Sequence, residues 1–256
     1  MTATPASVTV VDLSAASSDS HEVAAATHIG PVRTENQDAY AATPLRGGDG
    51  VAVVVADGMG GLPGGREAAV AATRAAVDVL AEGEATLGTV LDAVHAANRA
   101  VGAVRSEIGG QPGTTLTLAA VRGRVVWIGH AGDSRAYLVR SSMATVLTRD
   151  HSWVGDQVRA GALEAGSERH HARRNVITMA VMGDDIEPQA LSLELSRGDI
   201  LMLCSDGFWE PLTDDQIAEL LGTPGPLTAV VGRAAQAALD AGAADNVTLI
   251  AMRFGA

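Results

Sequence analysis

Short apolar runs rich in β-branched residues recur along this chain, and they constrain its fold more than any other feature. The runs span residues 51–56, 115–121, 125–129, 135–139, 200–204 and 247–252. Each has the length of a buried strand, and Arg122-Gly123 between two of them is typical of a tight hairpin turn. The chain is therefore expected to contain hairpin-linked strands.

Ala-rich segments with helical spacing of Val, Leu and Ala accompany these strands. They span residues 65–80 and 86–108, and shorter helices are predicted at residues 153–160, 214–221 and 227–241. Thr213 is a suitable N-cap for the helix that begins at residue 214. Hairpin-linked strands with helices in pairs favour an α+β fold with antiparallel sheets over a βαβ repeat. The sequence has no internal repeat and no long linker, so a single domain is predicted.

The N-terminal residues 1–21 are rich in Ala, Ser and Thr, without a helical period. A flexible extension is predicted here, with an added edge strand at residues 7–13 as the open alternative. Ordered structure is expected to begin near Glu22, so residues 22–256 would form the folded domain.

Composition excludes several classes of function. The formal net charge is −12, and all 18 basic residues are arginine. Without a basic run, the chain is a poor candidate for binding nucleic acid or an anionic membrane. Without lysine, it has neither a phosphate-binding P-loop nor Schiff-base chemistry.

The single cysteine, Cys204, excludes an internal disulfide and a cysteine cluster for zinc. It lies within an apolar run, so a core position is predicted rather than a reactive thiol. No apolar run reaches the ~18 residues that a membrane span needs, and no signal-type apolar block is present. A cytoplasmic protein is expected.

Aspartates stand at the ends of three predicted strands. They are Asp57-Gly58 after residues 51–56, Asp206-Gly207 after residues 200–205, and Asp245-Asn246 before residues 247–252. A strand that ends in Asp aims a carboxylate at the rim of the core, and the next Gly lets the backbone approach closely. One Asp-Gly pair is most often only a turn, but this repetition favours a shared site. A fourth acid, Asp38, lies near Arg33.

Carboxylates that converge require a cation. Two like charges ~4 Å apart cost about 4 kcal/mol even at an effective dielectric of 20. Ligands that are all oxygen select Mg²⁺ or Mn²⁺ rather than zinc. Two such ions ~3.5–4 Å apart would activate a bridging water and stabilise a displacement at phosphorus. The Arg33 guanidinium is suited to a phosphate dianion.

Seven motifs occur in the order found in type 2C (PPM) metal-dependent serine/threonine protein phosphatases of the bacterial type, which the chain resembles from about Gly30 to Thr248. They are Gly30-Pro-Val-Arg33-Thr-Glu-Asn36-Gln-Asp38, Asp57-Gly-Met-Gly-Gly61, Gly113-Thr-Thr115, Gly132-Asp-Ser-Arg135, Asp150-His-Ser152, Ser205-Asp-Gly207 and Asp245-Asn246. Residues 175–178 also resemble a family segment. Each motif alone is weak, but seven in order are specific.

The resemblance implies a four-layer α-β-β-α sandwich of two antiparallel sheets flanked by paired helices, with residues 22–256 as the catalytic domain. It also implies two tightly bound Mn²⁺ or Mg²⁺ ions. Asp57 would bridge both ions and the Gly58 carbonyl would complete one of them. Asp206 and Asp245 would hold the other.

The remaining roles are also implied by the resemblance alone. Asp38 would act mainly through water, Asp133 would hold a third and looser ion together with Asp206, and Arg33 would receive the substrate phosphate. Residues 153–174 correspond to a variable flap beside the active site.

Three departures from the family pattern are visible. Met59 stands where eukaryotic members have a histidine proposed as the general acid, and methionine cannot donate a proton, although bacterial members commonly have methionine here. Gln37 replaces a glutamate found in many members. The segment 175–183 is one residue longer than usual.

Other candidate residues have simpler interpretations. His151 is predicted to be structural, with a hydrogen bond to a neighbouring strand or loop, and the adjacent His170 and His171 are predicted on the flap surface. Ser134 and Ser205 lie beside acids, but neither is in a Gly-x-Ser-x-Gly nucleophile elbow. A Gly-rich stretch is expected to wrap around the metals; its members are Gly60, Gly61, Gly64 and Gly65.

The sequence thus predicts a hydrolase that removes phosphate from phosphoserine and phosphothreonine in proteins by attack of a water that bridges the metals. Its expected partners are phosphorylated proteins and a cognate Ser/Thr kinase whose signalling it reverses, and a monomer is expected. Two alternatives stay open: a catalytically weak relative that acts as a binding or regulatory module, and a phosphatase for an anti-sigma antagonist. The presence of all four acids that such inactive relatives usually lose argues for activity.

Overall fold

Two antiparallel sheets form the centre of the molecule in the computed structural model, which describes residues 7–17, 21–59 and 64–255. The first sheet has the order β1 (Thr9–Asp12), β2 (Glu22–His28), β12 (Val247–Arg253), β11 (Ile200–Cys204), β8 (Arg135–Arg140) and β9 (Met143–Val146). The second has the order β10 (Gln189–Glu194), β7 (Val125–Ala131), β6 (Leu116–Arg122), β4 (Gly50–Met59) and β3 (Asp38–Pro44), and the short β5 (Gly113–Thr114) pairs with the end of β4.

Helices cover the outer faces of the sheets. The second sheet packs against α1 (Gly65–Glu82) and α2 (Leu87–Ile108), and the first packs against α5 (Asp214–Leu221) and α6 (Leu227–Asp240). Two shorter helices, α3 (Trp153–Arg159) and α4 (Asp206–Trp209), lie near the ends of strands. The layers are therefore helix, sheet, sheet and helix, which confirms the predicted α+β sandwich.

Strand β4 is apolar on both faces because it belongs to two cores at once. Its residues Val51, Val53 and Val55 pack in the core between the sheets, whereas Ala52, Val54 and Ala56 face α1 and α2. Side chains alternate between the two faces of a strand, so a strand covered on both sides has a continuous apolar run. Burial of each valine contributes roughly 1.5–3 kcal/mol, and this anchors the aspartate at the end of the strand.

All six predicted strands and all five predicted helices are present, with ends shifted by a few residues. The hairpin between β6 and β7 turns at Gly123 and Arg124. Thr213 caps α5 in a capping box with Gln216. The sequence did not predict β2, β3, β5, β9 or β10. Of these, β2 and β3 are rich in alanine rather than in β-branched residues.

The N-terminal segment corrects one expectation. Thr9–Asp12 pairs antiparallel with β2, and Leu13 and Ala16 pack against the core between the sheets. The flexible extension expected over residues 1–21 is therefore wrong for this stretch, where the alternative of an edge strand holds. The physical reason is that β1 pairs the backbone groups on the outer edge of β2. Residues 1–6 and 18–20 lie outside the described residues.

None of the helices in the described ranges combines the length and the apolar character that a membrane crossing needs.

Candidate active site

Strand ends from both sheets meet at one cleft of about 180 Å³. Antiparallel pairing of β3 with β4 sets Asp38 directly opposite Asp57. Asp206 follows the end of β11, and Asp245 lies just before the neighbouring β12. The residues that line the cleft include Arg33, Asp57, Gly58, Asp133, Asp206 and Asp245. The structure therefore brings together the site residues singled out from the sequence, with Asp38 beside them.

The glycines after Asp57 and Asp206 permit backbone contacts that no side chain would allow. A Cβ on Gly58 would lie 2.3 Å from the Gly65 carbonyl oxygen, and a Cβ on Gly207 would lie 2.2 Å from the Asn246 carbonyl oxygen. Real Cβ atoms do not approach so closely, so both positions require glycine. The two Asp-Gly pairs are therefore packed tightly against neighbouring backbone and do more than make turns.

The backbone of Asp57 is fixed by two threonines of the Gly113-Thr-Thr115 motif. Its N–H donates to Thr115 Oγ1 at 3.0 Å, and its carbonyl accepts from Thr114 Oγ1 at 2.9 Å. Thr115 Oγ1 also lies 2.7 Å from Ser134 Oγ, next to Asp133. These contacts hold the chain while leaving the Asp57 carboxylate directed at the cleft.

Two carboxylate oxygens in this site are buried without a hydrogen-bond partner, namely Asp38 Oδ1 and Asp206 Oδ1. The other oxygen of Asp38 accepts from Ser205 Oγ at 2.8 Å. A buried polar group without a partner costs roughly 1–3 kcal/mol, and more when it is charged. A cation that both oxygens could bind would remove this cost.

The carboxylates also repel one another. Burial raises the pKa of Asp38 to about 7. Burial and then the negative charge of Asp38 raise the pKa of Asp57 well above its usual value. Burial and then Asp133 do the same for Asp206. Positive charge supplied at this site would lower the pKa of each carboxyl group.

Arg33 provides positive charge at one side of the cleft. Its Nη2 donates to Asp245 Oδ2 at 2.6 Å, with 49% and 32% of the two side chains exposed. Because both groups are partly in water, this ion pair is weak. Arg33 and Asp245 can therefore each leave this pair for a partner that binds more strongly.

Asn246 holds the loop that carries Arg33, a role that the sequence analysis missed. Its Nδ2 donates to the carbonyls of Ile29 at 2.7 Å and Glu35 at 2.9 Å, and its Oδ1 accepts from the Gln37 N–H at 2.9 Å. An asparagine next to a predicted metal ligand was the only available signal, since its partners lie more than 200 residues earlier in the chain.

Asp133 lies in a turn whose backbone is firmly held. The Trp209 Nε1 donates to the Asp133 carbonyl at 3.0 Å. Burial, and then the charge of Asp150, raises the pKa of Asp133 to about 7. The nearby Arg135 is engaged with another acid. Arg135 forms a buried two-pronged ion pair with Asp150, at 2.9 and 2.7 Å.

The donor set fits a hard divalent cation, because the ligands are all oxygens and two of them lack partners. In the described residues, however, no three His, Cys, Asp or Glu side chains are already gathered around one point. The contacts of Asp245 with Arg33 and of Asp38 with Ser205 are consistent with this. Binding would therefore require small side-chain rotations.

Comparison with known proteins decides the family. A family model described as protein phosphatase 2C matches residues 28–241, which is most of the chain. The chain belongs to the protein phosphatase 2C family.

Named bacterial relatives agree with this assignment. The serine/threonine protein phosphatase PstP of Mycobacterium tuberculosis is 34% identical over 86% of this chain, but the chain spans only 42% of that relative. The protein phosphatase PhpP of Streptococcus pneumoniae is 31% identical, with 89% of this chain and 95% of PhpP covered. A solved catalytic domain of PstP, in complex with two manganese ions, has a TM-score of 0.79 at 30% identity and covers 91% of this chain and 97% of that one.

Residues 153–174, the expected flap of this protein phosphatase 2C family member, contain α3 and a short 3₁₀ helix, Ser167–Arg169. This segment contacts the body through Arg174 Nε, which lies 3.0 Å from Glu210 Oε1, and through Arg169, which donates to the Trp209 carbonyl. Beyond the flap, Asn175 and Ile177 line the cleft.

The remaining predicted residues lie as follows. His151 bonds to the neighbouring Gly132 turn, Cys204 is buried and His170 is exposed, as predicted. His171, also predicted at the surface, is half-buried, and its ring centre lies 5.3 Å from that of Trp153. Met59 and Gln37 line the cleft. Of the Gly-rich stretch, Gly64 and Gly65 begin α1, whereas Gly60 and Gly61 lie outside the described residues.

Proposed function

We propose that this chain hydrolyses phosphoserine and phosphothreonine monoesters of proteins with the help of bound divalent ions. The observation that carries the proposal is the cleft at which four separate parts of the chain place their carboxylates beside Arg33. Family membership supports the same reaction.

The proposed ligands are those that line the cleft. Asp57 would be shared between two ions, and the Gly58 carbonyl would complete one of them. Asp206 and Asp245 would hold the other, Asp38 would act through water, and Asp133 would hold a third ion with Asp206. The two manganese ions of the solved PstP domain support the first two sites. Mn²⁺ and Mg²⁺ both suit this ligand set. When bound, such ions lower the pKa of water and neutralise charge at phosphorus.

The residues of the chain have their own parts in the reaction. Once Asp245 is engaged elsewhere, the Arg33 guanidinium is released to receive the phosphate oxygens. Substrate binding by Arg33 would then depend on whether Asp245 is engaged with an ion. Met59 beside Asp57 offers no proton to the leaving group, so position 59 takes no part in acid catalysis.

The test is hydrolysis of p-nitrophenyl phosphate and of a phosphothreonine peptide by the purified chain with EDTA, Mg²⁺, Mn²⁺ or Ca²⁺. We expect the highest rate with Mn²⁺, a lower rate with Mg²⁺ and none with EDTA, because the buried carboxylates need a cation. Undiminished hydrolysis after exhaustive chelation would contradict the proposal. Inactivity under all four conditions would favour a binding or regulatory module.

The proposed substrates are proteins phosphorylated by a Ser/Thr kinase, and a cognate kinase is the proposed partner. The alternative substrate is a phosphorylated anti-sigma antagonist. A monomeric, cytoplasmic enzyme remains a prediction, which size-exclusion chromatography and cell fractionation would test.

Replacing Arg33 by Ala should weaken substrate handling while leaving ion binding intact. Loss of a hydrogen bond to a charged group costs roughly 1.5–3 kcal/mol, hence about 10- to 100-fold in kcat/KM. The control is Arg66→Ala. Arg66 is also an exposed arginine, and it forms only a weak ion pair with Glu35, at 3.9 Å. Calorimetric titration with Mn²⁺ separates the alternatives, because lost ion sites in Arg33→Ala would make this arginine structural.

A further inference from the structure

His151 connects the turn that carries Asp133 with the segment that leaves the flap. Its backbone N–H donates to the Gly132 carbonyl at 2.8 Å, and its Nδ1 accepts from the Gly132 N–H at 3.1 Å. Its own carbonyl accepts from the Thr178 N–H at 2.8 Å. One residue therefore holds Gly132 by two bonds and the flap exit by a third.

The flap side of this connection reaches the cleft. The residue after His151, Ser152, forms an isolated β-bridge with Ile177. Asn175 and Ile177 both line the cleft that contains Asp57 and Asp206. A shift of His151 would therefore be transmitted to one wall of the site.

The His151 ring has little freedom to move. It stacks on His130, with ring centroids 4.9 Å apart and an angle of 26° between the planes. The His130 nitrogens are occupied by Thr117 Oγ1 and by the Arg149 carbonyl, at 2.9 and 3.1 Å. Because Nδ1 of His151 accepts a hydrogen bond, the ring must be neutral with its proton on Nε2.

On the other side, the connection restricts the backbone of the turn that carries Asp133. Gly132 has a φ of +117°, and a Cβ there would lie 2.6 Å from Thr115. The turn can therefore adopt few conformations. Gly132 is buried, so removal of the Nδ1 acceptor would leave its N–H without a partner and favour a different turn.

We propose that His151 is a positioning residue that holds the Asp133 carboxylate and the cleft-lining segment 175–178 in one joint arrangement. The inference rests on the proposed function, in which Asp133 contributes to a looser ion site. It assigns to the histidine of the Asp150-His-Ser152 motif a role in the coupling between flap and ion site, beyond local packing.

Hydrogen exchange of the wild-type protein, titrated with Mn²⁺ alone, provides the first test. Filling of the looser site should slow exchange in residues 129–134 and in residues 175–180 over the same range of Mn²⁺ concentration, because His151 joins the two segments. Protection of residues 129–134 without any change in residues 175–180 would overturn the inference. This readout needs neither substrate nor a variant.

Two substitutions provide the second test. His151→Asn places an amide oxygen near the position of Nδ1, whereas His151→Gln places it one bond further along the side chain. His171→Gln is the matched control, since His171 Nδ1 also accepts a backbone N–H, from Arg173 at 3.0 Å, but has no bond to Gly132.

We expect His151→Gln to need about tenfold more Mn²⁺ for half-maximal kcat and to exchange faster in both segments, because one buried donor loses its acceptor. The KM for substrate should change little, and His151→Asn should restore most of the wild-type behaviour. Equal behaviour of His151→Gln and His171→Gln, or no difference between Asn and Gln, would overturn the inference. A wild-type chain with no phosphatase activity would instead contradict the proposed function, and the exchange measurement would still test the connection.

Discussion

Asp57→Asn is expected to retain less than about one hundredth of the wild-type kcat, because a neutral amide is a poor ligand to share between two cations. The residue lies at the end of β4, with its backbone bonded to Thr114 and Thr115. The substitution removes the negative charge and replaces one carboxylate oxygen by an amide nitrogen, but the size of the side chain is unchanged. The loss should therefore lie in chemistry rather than in folding.

The stability of the metal-free protein provides an independent check on the same variant. The pKa of Asp57 is raised in the folded state by burial and by neighbouring acids. The folded protein therefore binds this proton more tightly than the unfolded chain does, so the stability that Asp57 contributes is greatest at low pH and is lost as pH rises toward the folded pKa. Asp38 and Asp133, each with a pKa raised to about 7, act in the same direction.

Thermal melting without metal should thus give a lower Tm at pH 8 than at pH 5.5. Asp57→Asn should reduce this difference, and Mn²⁺ should raise the Tm of the wild type at pH 8 far more than that of the variant. The control is Asp78→Asn, the same substitution on the exposed side of α1. A variant that keeps a tenth of the wild-type kcat would show that the proposed role of Asp57 is wrong.

The sequence predicted those parts of the site that depend on local patterns. Apolar runs that end in Asp57 and Asp206 indicated both the strands and the positions of the carboxylates. The rigid β4 then carries Asp57 to the rim, as the pattern required. The glycines that follow do allow close backbone contacts, with the carbonyls of Gly65 and Asn246, whereas their approach to a bound ion stays a prediction.

The sequence could not predict the contacts that hold these groups in place, because they join distant parts of the chain. Ser205 bonds to Asp38 from 167 residues away, and Asn246 secures the Arg33 loop from the other end of the chain. A serine or an asparagine has many possible partners, and only the folded chain selects among them. The alanine-rich β2 was missed for a similar reason, since its strand conformation comes from pairing with β12 rather than from its own propensity.

Asp133→Ala tests the looser ion site. The structure excludes one of the two structural roles that Asp133 could have instead. A structural role would require Asp133 to pair with Arg135 or to cap its own turn. Arg135 is bound to Asp150 and Tyr137 and lies 3.5 Å from the centre of the Trp209 ring, so it is not available for Asp133. Capping of its own turn remains as the competing role.

If Asp133 holds an ion, Asp133→Ala should keep the two tight sites and melt within a few degrees of the wild type. Turnover should still fall by at least about tenfold, because a third ion supplies positive charge and orients a water. Met59 cannot take over the role of that water, since methionine has no proton to donate. The measurements are calorimetric titration with Mn²⁺, thermal melting and kcat. Asp156→Ala, at an exposed acid of the flap helix α3, is the control.

The two roles of Asp133 give opposite patterns in these measurements. Truncation of a turn cap would cost roughly 0.5–2 kcal/mol of folding free energy and leave the chemistry intact. A variant that melts far lower, yet turns over like the wild type at low temperature, would therefore leave Asp133 as a turn residue. Loss of turnover at an unchanged Tm, with the weak Mn²⁺ site missing from the titration, would place it among the ion ligands, because only that role couples the carboxylate to catalysis without involving the fold.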